Sequence, residues 1–459
     1  MALDLSIPLH LTLALIPDLV LMGGAMVLLI WAAWRPDSDQ HQRAVGIACI
    51  ALAIVALVVV FIFVGQYEVG PGPVAYDNFR WDMDIIILLG TIFTIALSID
   101  DNRRTGIVAA ESHVLVLLAS SGMMLLAAAR DLMIVFLGIE LMSISVYALA
   151  GINRRSVRSA EGALKYFLLG AFSTAFLLYG IALVYGATGS TSLTVIGGRI
   201  SALGLAGSPL LGVGIGLMLI GFGFKVATVP FHMWAPDVYD GAPSPITAYM
   251  AATVKAAAFA AFIRVWLEAF PVSFALWHPA LSALAVATMV AGNAIGLAQR
   301  NIKRLLAYSS IGHAGYLLVA VAAGSFQGSS AMLFYLFVYT LATFGAFAVI
   351  VMLERDSDPS GPVMIDDFAG LWSVRPWLAL SMGVLMLALL GFPVFGGAGF
   401  FAKWYVLQAA LQAEVPQTML AVVLVLTTVV SAGYYLYVVM VMFMRSRPDD
   451  APIPHRAAS

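Results

Sequence analysis

Four ionisable residues stand inside long apolar runs of this sequence, where a charge is costly. They are Glu140 in LGIELMSISVY, Lys225 in GFGFKVATVPFHMW, Lys255 in TAYMAATVKAAAFAAF and Lys403 in GFFAKWYVL. A charged side chain at the centre of a bilayer costs at least about 2.5–3.5 kcal/mol, so such residues usually mark a pathway or a paired site. Each could instead form a structural ion pair or extend to the membrane surface. Because Glu140 and Lys225 are natural partners and Lys255 lies among alanines that cannot shield it, we predict that the four residues relay protons.

Three further residues are candidates for an auxiliary role. Lys165 is spaced i,i+4 from Glu161, so a local salt bridge competes with a role in proton transfer. His232 and His313 lie in apolar surroundings, where a histidine is either held by hydrogen bonds or relays protons near neutral pH.

The composition indicates that these residues lie in a membrane. Of 459 residues, 62% are hydrophobic and 10% are charged, and the mean hydropathy is +0.97. A soluble protein carries about 25% charged residues, so this chain could not cover a soluble body of its size. The one cysteine excludes a disulfide framework, a cysteine-ligated iron–sulfur cluster and a Cys-rich zinc site, and the net charge of −2 provides no basic face for nucleic acid. We predict an all-α, polytopic membrane protein that contacts the lipid bilayer and carries no cofactor or metal of its own.

Thirteen runs are long and apolar enough for transmembrane helices, which need about 20 residues each. Their predicted limits are 11–34, 44–65, 83–99, 110–129, 131–150, 160–186, 205–230, 245–270, 276–298, 301–323, 327–353, 376–412 and 417–444. The run 376–412 is too long for one simple helix, and Gly391-Phe392-Pro393 and Gly396-Gly397 interrupt it. No Lys or Arg precedes the first run, so we expect a retained helix rather than a secretory signal peptide.

The basic residues give this topology an orientation, because Lys and Arg accumulate in cytoplasmic loops. Alternate loops, beginning after the first run and including the tail, contain fifteen of them, namely Arg35, Arg43, Arg103, Arg104, Arg154, Arg155, Arg158, Arg300, Lys303, Arg304, Arg355, Arg375, Arg445, Arg447 and Arg456. The other loops contain three, namely Arg80, Arg130 and Arg199. Since one added or missing helix would scramble this alternation, the distribution predicts an N-terminus outside and a C-terminus in the cytoplasm.

Two of the predicted helices are interrupted, and they lie five helices apart. Span seven is broken at Pro230 and span twelve around Pro393, and each break has a lysine close by. Five is an odd number, so two successive five-helix repeats must run inverted to one another, an arrangement that marks ion pathways in transporters. The predicted organisation is a three-helix segment at 1–105, repeats at 106–272 and 273–446, and a polar tail at 447–459.

Four long motifs resemble the antiporter-like, proton-translocating membrane subunits of respiratory complex I. They are DLMIVFLGIELMSISVYALAG, EGALKYFLLGAFSTAFLLYGIALVYGATG, GFGFKVATVPFHMWAPDVYDGAPSPITAYMA and NIKRLLAYSSIGHAGYLL. The likeness extends over about 110–445, whereas residues 1–100 match in topology more than in sequence. The functional positions that it implies are Glu140 on helix five, Lys225 on helix seven, Lys255 on helix eight and Lys403 on helix twelve, where some related subunits carry glutamate.

The resemblance also implies a location, partners and a mechanism. The chain would lie in the bacterial inner membrane beside other membrane subunits of complex I, and NAD, FMN, iron–sulfur clusters and quinone would bind in partner subunits. Quinone reduction elsewhere would break a Glu140–Lys225 pair, and protons would then pass through ordered water to Lys255 and on to Lys403. Typical bacterial members have a fourteenth helix, whereas this sequence ends at Ser459 after a polar tail.

Three other classes of protein remain alternatives. An Mrp-type cation/proton antiporter subunit would share the fold and many of the motifs. A solute transporter fits less well, because lysines line the breaks without an evident substrate pocket. A structural membrane scaffold would not need three buried lysines.

Overall fold

The computed structural model describes residues 6–35, 38–65, 72–354, 361–393 and 397–447. Throughout this part of the chain the fold is all-α, with isolated β-bridges between loops. The helices are α1 Ser6–Trp34, α2 Asp39–Phe63, α3 Asn78–Thr105, α4 Glu111–Ala127, α5 Leu132–Ala150, α6 Val157–Thr188, α7 Leu193–Ala202, α8 Pro209–Val226, α9 Ala235–Gly241, α10 Ser244–Tyr249, α11 Lys255–Ala269, α12 Phe274–Gly296, α13 Ile302–Ala322, α14 Phe326–Leu353, α15 Leu371–Val374, α16 Pro376–Leu390, α17 Ala398–Leu411 and α18 Thr418–Met444. Arg355, Gly396, Arg456 and the tail residues 448–459, which entered the sequence predictions, lie outside the described residues.

Each predicted span corresponds to one helix or to a pair of helices. Spans one to six are α1 to α6, span eight is α10 with α11, spans nine to eleven are α12 to α14, and span thirteen is α18. Span twelve is divided into α16 and α17, and span seven is α8, which is followed beyond the predicted limit of 230 by the short helix α9. Eleven described helices are long and apolar enough to cross a membrane, and α4 and α16 are shorter apolar helices. The predicted fold class, with one discontinuous helix in each half, is confirmed.

The break in span seven begins before the proline that predicted it. α8 ends at Val226, and Ala227 adopts a left-handed conformation with φ 60°, which is uncommon for a residue with a Cβ atom. The backbone N–H of Thr228 turns back to the carbonyl oxygen of Gly223 at 2.8 Å. Pro230, which follows a cis peptide bond, lies beyond the helix end. The interruption therefore starts at Ala227, directly after the turn that carries Lys225.

The break in span twelve depends on glycines. α16 ends at Leu390, and Gly391 adopts φ 79°, a conformation that glycine reaches without steric strain. Pro393 lies in the segment between α16 and α17, as predicted. At the start of α17, a Cβ atom on Gly399 would lie 1.8 Å from the carbonyl oxygen of Ala388. Only a residue without a side chain allows the two halves of the span to approach this closely.

The helix α7 and a π-helical turn inside span eight are local features that the sequence analysis did not predict. The short helix α7 lies between spans six and seven and buries Leu193, Ile196 and Ile200. A π-helical turn at Met250–Val254 joins α10 to α11 directly before Lys255. Single π-helical turns are frequent at functional sites, and the sequence pattern of apolar residues does not reveal them.

Contacts between loops show which helix ends share a membrane face. Val74 pairs with Ala129, so the loops after spans two and four meet at one face. Arg104 pairs with Glu354, so the loops after spans three and eleven meet at the other, which we call the basic face because the basic-rich loops lie there. This alternation is what the predicted number of crossings requires.

The helices α10, α11 and α13 form the centre of the protein. The apolar window of Ser244–Ala269 is 100% buried and that of Ile302–Ala322 is 94% buried, whereas α1 and α2 expose most of theirs. Large apolar side chains that are exposed on outer helices, such as Ile30 and Phe61, cover the surface that lipid would contact. Because Lys255 lies on the central helix, it cannot extend to the membrane surface.

Candidate proton-relay site

Lys225 is held by hydroxyl groups and aromatic rings. Its ammonium group donates hydrogen bonds to the hydroxyls of Ser143 at 2.6 Å and Tyr147 at 3.3 Å, both on α5. The nitrogen also lies 5.3 Å, 5.8 Å and 5.7 Å from the ring centres of Tyr147, Tyr166 and Phe224. Aromatic faces within about 6 Å attract a cation. The buried ammonium group is therefore stabilised by neutral groups.

Glu140 does not form the expected direct ion pair with Lys225. Ser143, one helical turn after Glu140, occupies the hydrogen-bonding position next to the lysine. The Oε1 atom of Glu140 is buried and accepts no hydrogen bond, although the carboxyl group is near enough to interact electrostatically with Lys225. Glu140, Ser143 and Tyr147 share one face of α5 because they are spaced i, i+3 and i+7. The serine lies closer to the ammonium group than the carboxylate does, so Glu140 acts on Lys225 here through space and the predicted functional pair stays a prediction.

A glycine creates the space that Tyr147 occupies. A Cβ atom on Gly170 of α6 would lie 1.9 Å from the Tyr147 hydroxyl oxygen. Tyr147 packs edge-on against Tyr166 at 4.7 Å, and Tyr166 stacks on Trp234 at 4.3 Å. Trp234 lies in the break and donates its indole N–H to the carbonyl oxygen of Phe224 at 3.1 Å. The break and helices α5 and α6 thus jointly determine the surroundings of Lys225.

Lys255 has a partner on another helix, and that partner is neutral. Its ammonium group donates hydrogen bonds to the carbonyl oxygen of Ser310 at 2.5 Å and to the Ser310 hydroxyl. Lys255 is 2% exposed, and within the described part of the chain it forms no ion pair. A lysine held in this way can release its proton without leaving a carboxylate unpaired.

Lys403 bridges the break in span twelve. It lies on α17 and donates a hydrogen bond at 2.8 Å to the carbonyl oxygen of Leu390, the last residue of α16. Its nitrogen lies 4.7 Å from the ring centre of Tyr316. A Cβ atom on Gly391 would lie 3.0 Å from Cδ of Lys403, so the glycine leaves room for the lysine side chain.

Helix α13 connects the last two lysines. Ser310, His313 and Tyr316 are spaced by three residues, so they lie close to one face of the helix. Ser310 binds Lys255 and Tyr316 lies beneath Lys403, which leaves His313 between the two contacts.

Both ring nitrogens of His313 have hydroxyl partners. Nδ1 lies 2.5 Å from the Tyr335 hydroxyl and Nε2 lies 2.9 Å from the Tyr435 hydroxyl. The Tyr435 hydroxyl also shares a hydrogen bond with Ser309. A small cavity beside the ring is lined by His313, Tyr335 and Lys403 among other residues. Of the three auxiliary candidates, His313 is the one that the structure places beside the central lysines.

Lys165 and His232 lie apart from these groups. Lys165 forms ion pairs with Glu161 at 2.7 Å and with Asp237 at 2.8 Å, and its side chain is 42% exposed. The local salt bridge with Glu161, one of the two alternatives for Lys165, is thus present. His232 lies in the break of span seven and makes no hydrogen bond to the three central lysines.

Several contacting residues were missed by the sequence analysis, namely Ser143, Tyr147, Ser310, Tyr335 and Tyr435. Hydroxyl residues in apolar helices commonly bond to their own backbone, as Ser143 does with the carbonyl oxygen of Ile139. Their presence alone therefore indicates nothing about function. Only Ser143 and Tyr147 could have been predicted from the sequence, because their spacing places them on the same helix face as Glu140.

The assembled groups are of types that can exchange protons. Within the described ranges no three His, Cys, Asp or Glu side chains are grouped so that they could hold a metal ion. The site consists of three amines, one carboxyl group, an imidazole and several hydroxyls, all of which donate or accept protons.

Residues 129–444, more than half of the chain, match the family described as NADH:quinone oxidoreductase/Mrp antiporter, transmembrane. The chain therefore belongs to this family of antiporter-like membrane proteins. Among its relatives is NADH-quinone oxidoreductase subunit N of Gemmatimonas aurantiaca, which is 54% identical over 454 residues that cover 96% of this chain and 86% of that protein. Subunit N of Trichlorobacter lovleyi is 49% identical over 82% of this chain and 76% of that protein.

Solved structures share the fold. A chain of respiratory complex I from Thermus thermophilus with bound aureothin matches with a TM-score of 0.80 and 37% identity, over 96% of this chain and 92% of that chain. A chain of the Mrp complex from Dietzia sp. DQ12-45-1b has the same fold, with a TM-score of 0.80 and 23% identity over 96% of this chain and 82% of that chain. The resemblance inferred from the four motifs is confirmed.

Proposed function

We propose that this chain is the antiporter-like subunit of a respiratory complex I that corresponds to subunit N of its relatives, and that it translocates protons. The observation that carries this proposal is the neutral environment of the three buried lysines. Within the described residues, Lys225, Lys255 and Lys403 bond only to hydroxyl or carbonyl oxygens. Ionisable side chains within membrane helices are rare, and they commonly mark ion pathways and proton relays.

Glu140 and Lys225 form the input end of the proposed relay. The unbonded Oε1 atom of Glu140 and the Ser143 hydroxyl compete for the same ammonium group. An opposite charge that moves closer favours the charged form of a lysine, and its withdrawal favours release of the proton. Changes in the distance between Glu140 and Lys225 would thus load and unload the site, and water would carry the proton to Lys255.

The route from Lys255 to Lys403 passes along α13. Ser310 is bound to Lys255, and His313 follows one turn later. A neutral imidazole accepts a proton at one nitrogen and donates one from the other. His313 and Lys403 both line the same small cavity.

The drive for the relay lies outside this chain. NAD, FMN, iron–sulfur clusters and quinone would bind in partner subunits, so the chain supplies a proton pathway within a translocase rather than a redox centre. It would lie in the bacterial inner membrane beside other membrane subunits, with the basic face towards the cytoplasm. Residues 1–105 would form an N-terminal segment, 106–272 and 273–446 the inverted repeats, and 447–459 a polar tail.

An Mrp-type antiporter subunit is the second candidate, because the matched family includes such proteins and the Mrp chain shares the fold. The two functions differ in the partners of the chain. Affinity purification from native membranes should recover complex I subunits with NADH:quinone reductase activity. Recovery of Mrp subunits without that activity would overturn the proposal.

Substitution of the central lysine tests the relay. Lys255→Met retains the length of the side chain and removes the exchangeable proton, so we expect an assembled complex whose proton translocation is reduced at least about tenfold. Lys255→Arg should rescue poorly, because a guanidinium group hardly deprotonates. Lys165→Met, at the exposed ion pair, serves as the control. Full activity of the Lys255→Arg complex would show that a fixed positive charge suffices.

A further inference from the structure

A second group of buried charges lies in the first three helices, apart from the lysines of the relay. Arg80 on α3 donates a hydrogen bond from Nη2 to Oδ2 of Asp18 on α1, and from Nε to Oδ2 of Asp84 at 3.3 Å. Its Nη1 donates to the carbonyl oxygen of Ala75 at 2.9 Å. Arg80 and Asp84 are 0% exposed and Asp18 is 6% exposed. All three guanidinium nitrogens of Arg80 thus donate hydrogen bonds, whereas only one oxygen of each carboxyl group accepts one.

The two remaining carboxyl oxygens have no partner. Oδ1 of Asp18 and Oδ1 of Asp84 are buried and accept no hydrogen bond from another residue. An unsatisfied buried acceptor costs about 1–3 kcal/mol. With both carboxyl groups ionised, the group would also carry a net charge of −1, because two carboxylates face one guanidinium. An uncompensated charge in such a setting is more costly still.

The surrounding residues do not supply the missing positive charge. Asp77, which also acts electrostatically on Asp84, is itself negative and is held by Arg264 of α11 at 2.8 Å and 3.0 Å. Arg264 also pairs with Glu268, and Glu268 with Arg130. The helices α2 and α4 carry their ionisable side chains away from this group. Asp39, His41, Arg43, Glu111 and His113 lie in the first turns, towards the basic face, and Cys49 lies in the middle of α2.

We propose that Asp18, Arg80 and Asp84 form a proton-binding site in which the two carboxyl groups share one proton. The bound proton removes the net charge, leaves Arg80 paired with one carboxylate, and converts one side chain into a neutral carboxylic acid. Two groups that compete for one proton in this way titrate as a pair. A hard metal cation fits less well, because it takes six or more oxygen ligands and only two carboxyl oxygens are free.

The site is connected to the helix that carries Lys255. The backbone N–H of Arg80 donates to Oδ1 of Asp77 at 2.9 Å, and Asp77 binds Arg264. Arg264 and Lys255 lie on α11, about 14 Å apart along the axis at 1.5 Å per residue. Gain or loss of the proton changes the charge beside Asp77, at the point where α3 is attached to α11.

Infrared spectroscopy of the intact complex tests this site without relying on proton pumping. Asp18→Asn and Asp84→Asn are compared with wild type and with Asp82→Asn, a partly exposed residue on the same helix α3. Wild type should show a stretching band of a protonated carboxyl group, which shifts on deuterium exchange. Asp18→Asn and Asp84→Asn should both lack this band. Both should lack it because the remaining aspartate is then ionised against Arg80. Asp82→Asn should retain the band.

Two results would contradict the proposed proton-binding site. If Asp18→Asn and Asp84→Asn each lose a carboxylate band while the protonated carboxyl band is unchanged, both aspartates are ionised in wild type and the proposal is wrong. Assembly, checked on a native gel, adds a second criterion, because asparagine has the shape of a neutral aspartic acid. Failure of both single variants to assemble would contradict the proposal as well. A complex that lacks pumping but shows the band would contradict the proposed function alone.

Discussion

The two discontinuous helices place their lysines on opposite sides of the break. Lys225 is on the segment before the break and is surrounded by Ser143, Tyr147 and aromatic rings. Lys403 is on the segment after the break and donates back across it to the carbonyl oxygen of Leu390. Both lysines use neutral oxygens, but the first is held by hydroxyls on another helix and the second by the backbone of its own broken span.

The two halves differ more in their negative charges. The first half contains Glu140 inside α5, near Lys225. The second half has no aspartate or glutamate in α12, α13, α14, α16, α17 or α18, and His313 with its tyrosine partners occupies the space beside Lys403. From this difference we propose that a moving charge controls the first half. The second half would then conduct protons through neutral hydrogen-bonding groups.

Removal of the carboxylate should have the largest effect, because the first half depends on it. In an assembled complex, Glu140→Gln should reduce proton translocation at least about tenfold, a loss typical of an acid–base group. Glu414→Gln, in an exposed loop, serves as the matched control. Pumping is measured in proteoliposomes with NADH and quinone. Normal pumping in the Glu140→Gln complex would show that the two halves do not differ in the proposed way.

Replacement of the histidine should impair the second half. His313→Phe retains the ring volume but removes both nitrogens from the contacts with Tyr335 and Tyr435. We expect roughly tenfold slower proton translocation, because the route from Lys255 to Lys403 loses its exchangeable group. His278→Phe, a half-buried histidine beside Phe274, is the control. Equal effects of the two substitutions would indicate a packing role for His313.

The hydroxyl of Tyr147 should matter less than either charge. Tyr147→Phe removes one hydrogen bond to Lys225, which corresponds to about 0.5–1.5 kcal/mol or a few-fold change in rate. Gly170→Ala should have a similar or larger effect without removing any polar group, because its Cβ atom would displace the hydroxyl. Parallel rate measurements on the two complexes check this. Wild-type rates in Gly170→Ala would show that Tyr147 can move without consequence.

The ion pairs of Asp237 with Lys165 and Arg304 at the basic face should affect proton translocation least. Burial raises the pKa of Asp237, but Lys165 and Arg304 lower it more, so the pKa lies below the ordinary value of 3.8. A carboxyl group whose pKa is lowered by folding stabilises the folded state above its unfolded pKa, and this contribution is lost as the pH falls below about 4. Asp237→Asn should therefore leave pumping at neutral pH nearly unchanged and flatten the acid side of the thermal stability profile. A large loss of pumping at neutral pH would assign Lys165 and its partners to the relay.

The arrangement of spans could be read from the amino-acid sequence because it follows from local properties. A transmembrane helix needs a run of apolar residues, and a loop on the basic face needs arginine or lysine, whatever the rest of the chain does. Pro230 and Pro393 mark the regions of the two breaks in the sequence, although α8 already ends at Val226 and α16 at Leu390. Glu140, Lys225, Lys255 and Lys403 stand out for the same reason, since a charge within an apolar run is visible without any structure.

The partners of those charges could not be read in the same way, because they come from helices far apart in sequence. Ser310 binds Lys255 across 55 positions, and Ser143 binds Lys225 across 82. Hydrophobicity determines that a helix lies in the membrane, but not which of its faces meets a neighbour at hydrogen-bonding distance. That depends on close approach of backbones, which glycines such as Gly170 and Gly399 permit. The membrane topology is therefore a property of the sequence, whereas the neutral environment of the lysines arises only from tertiary packing.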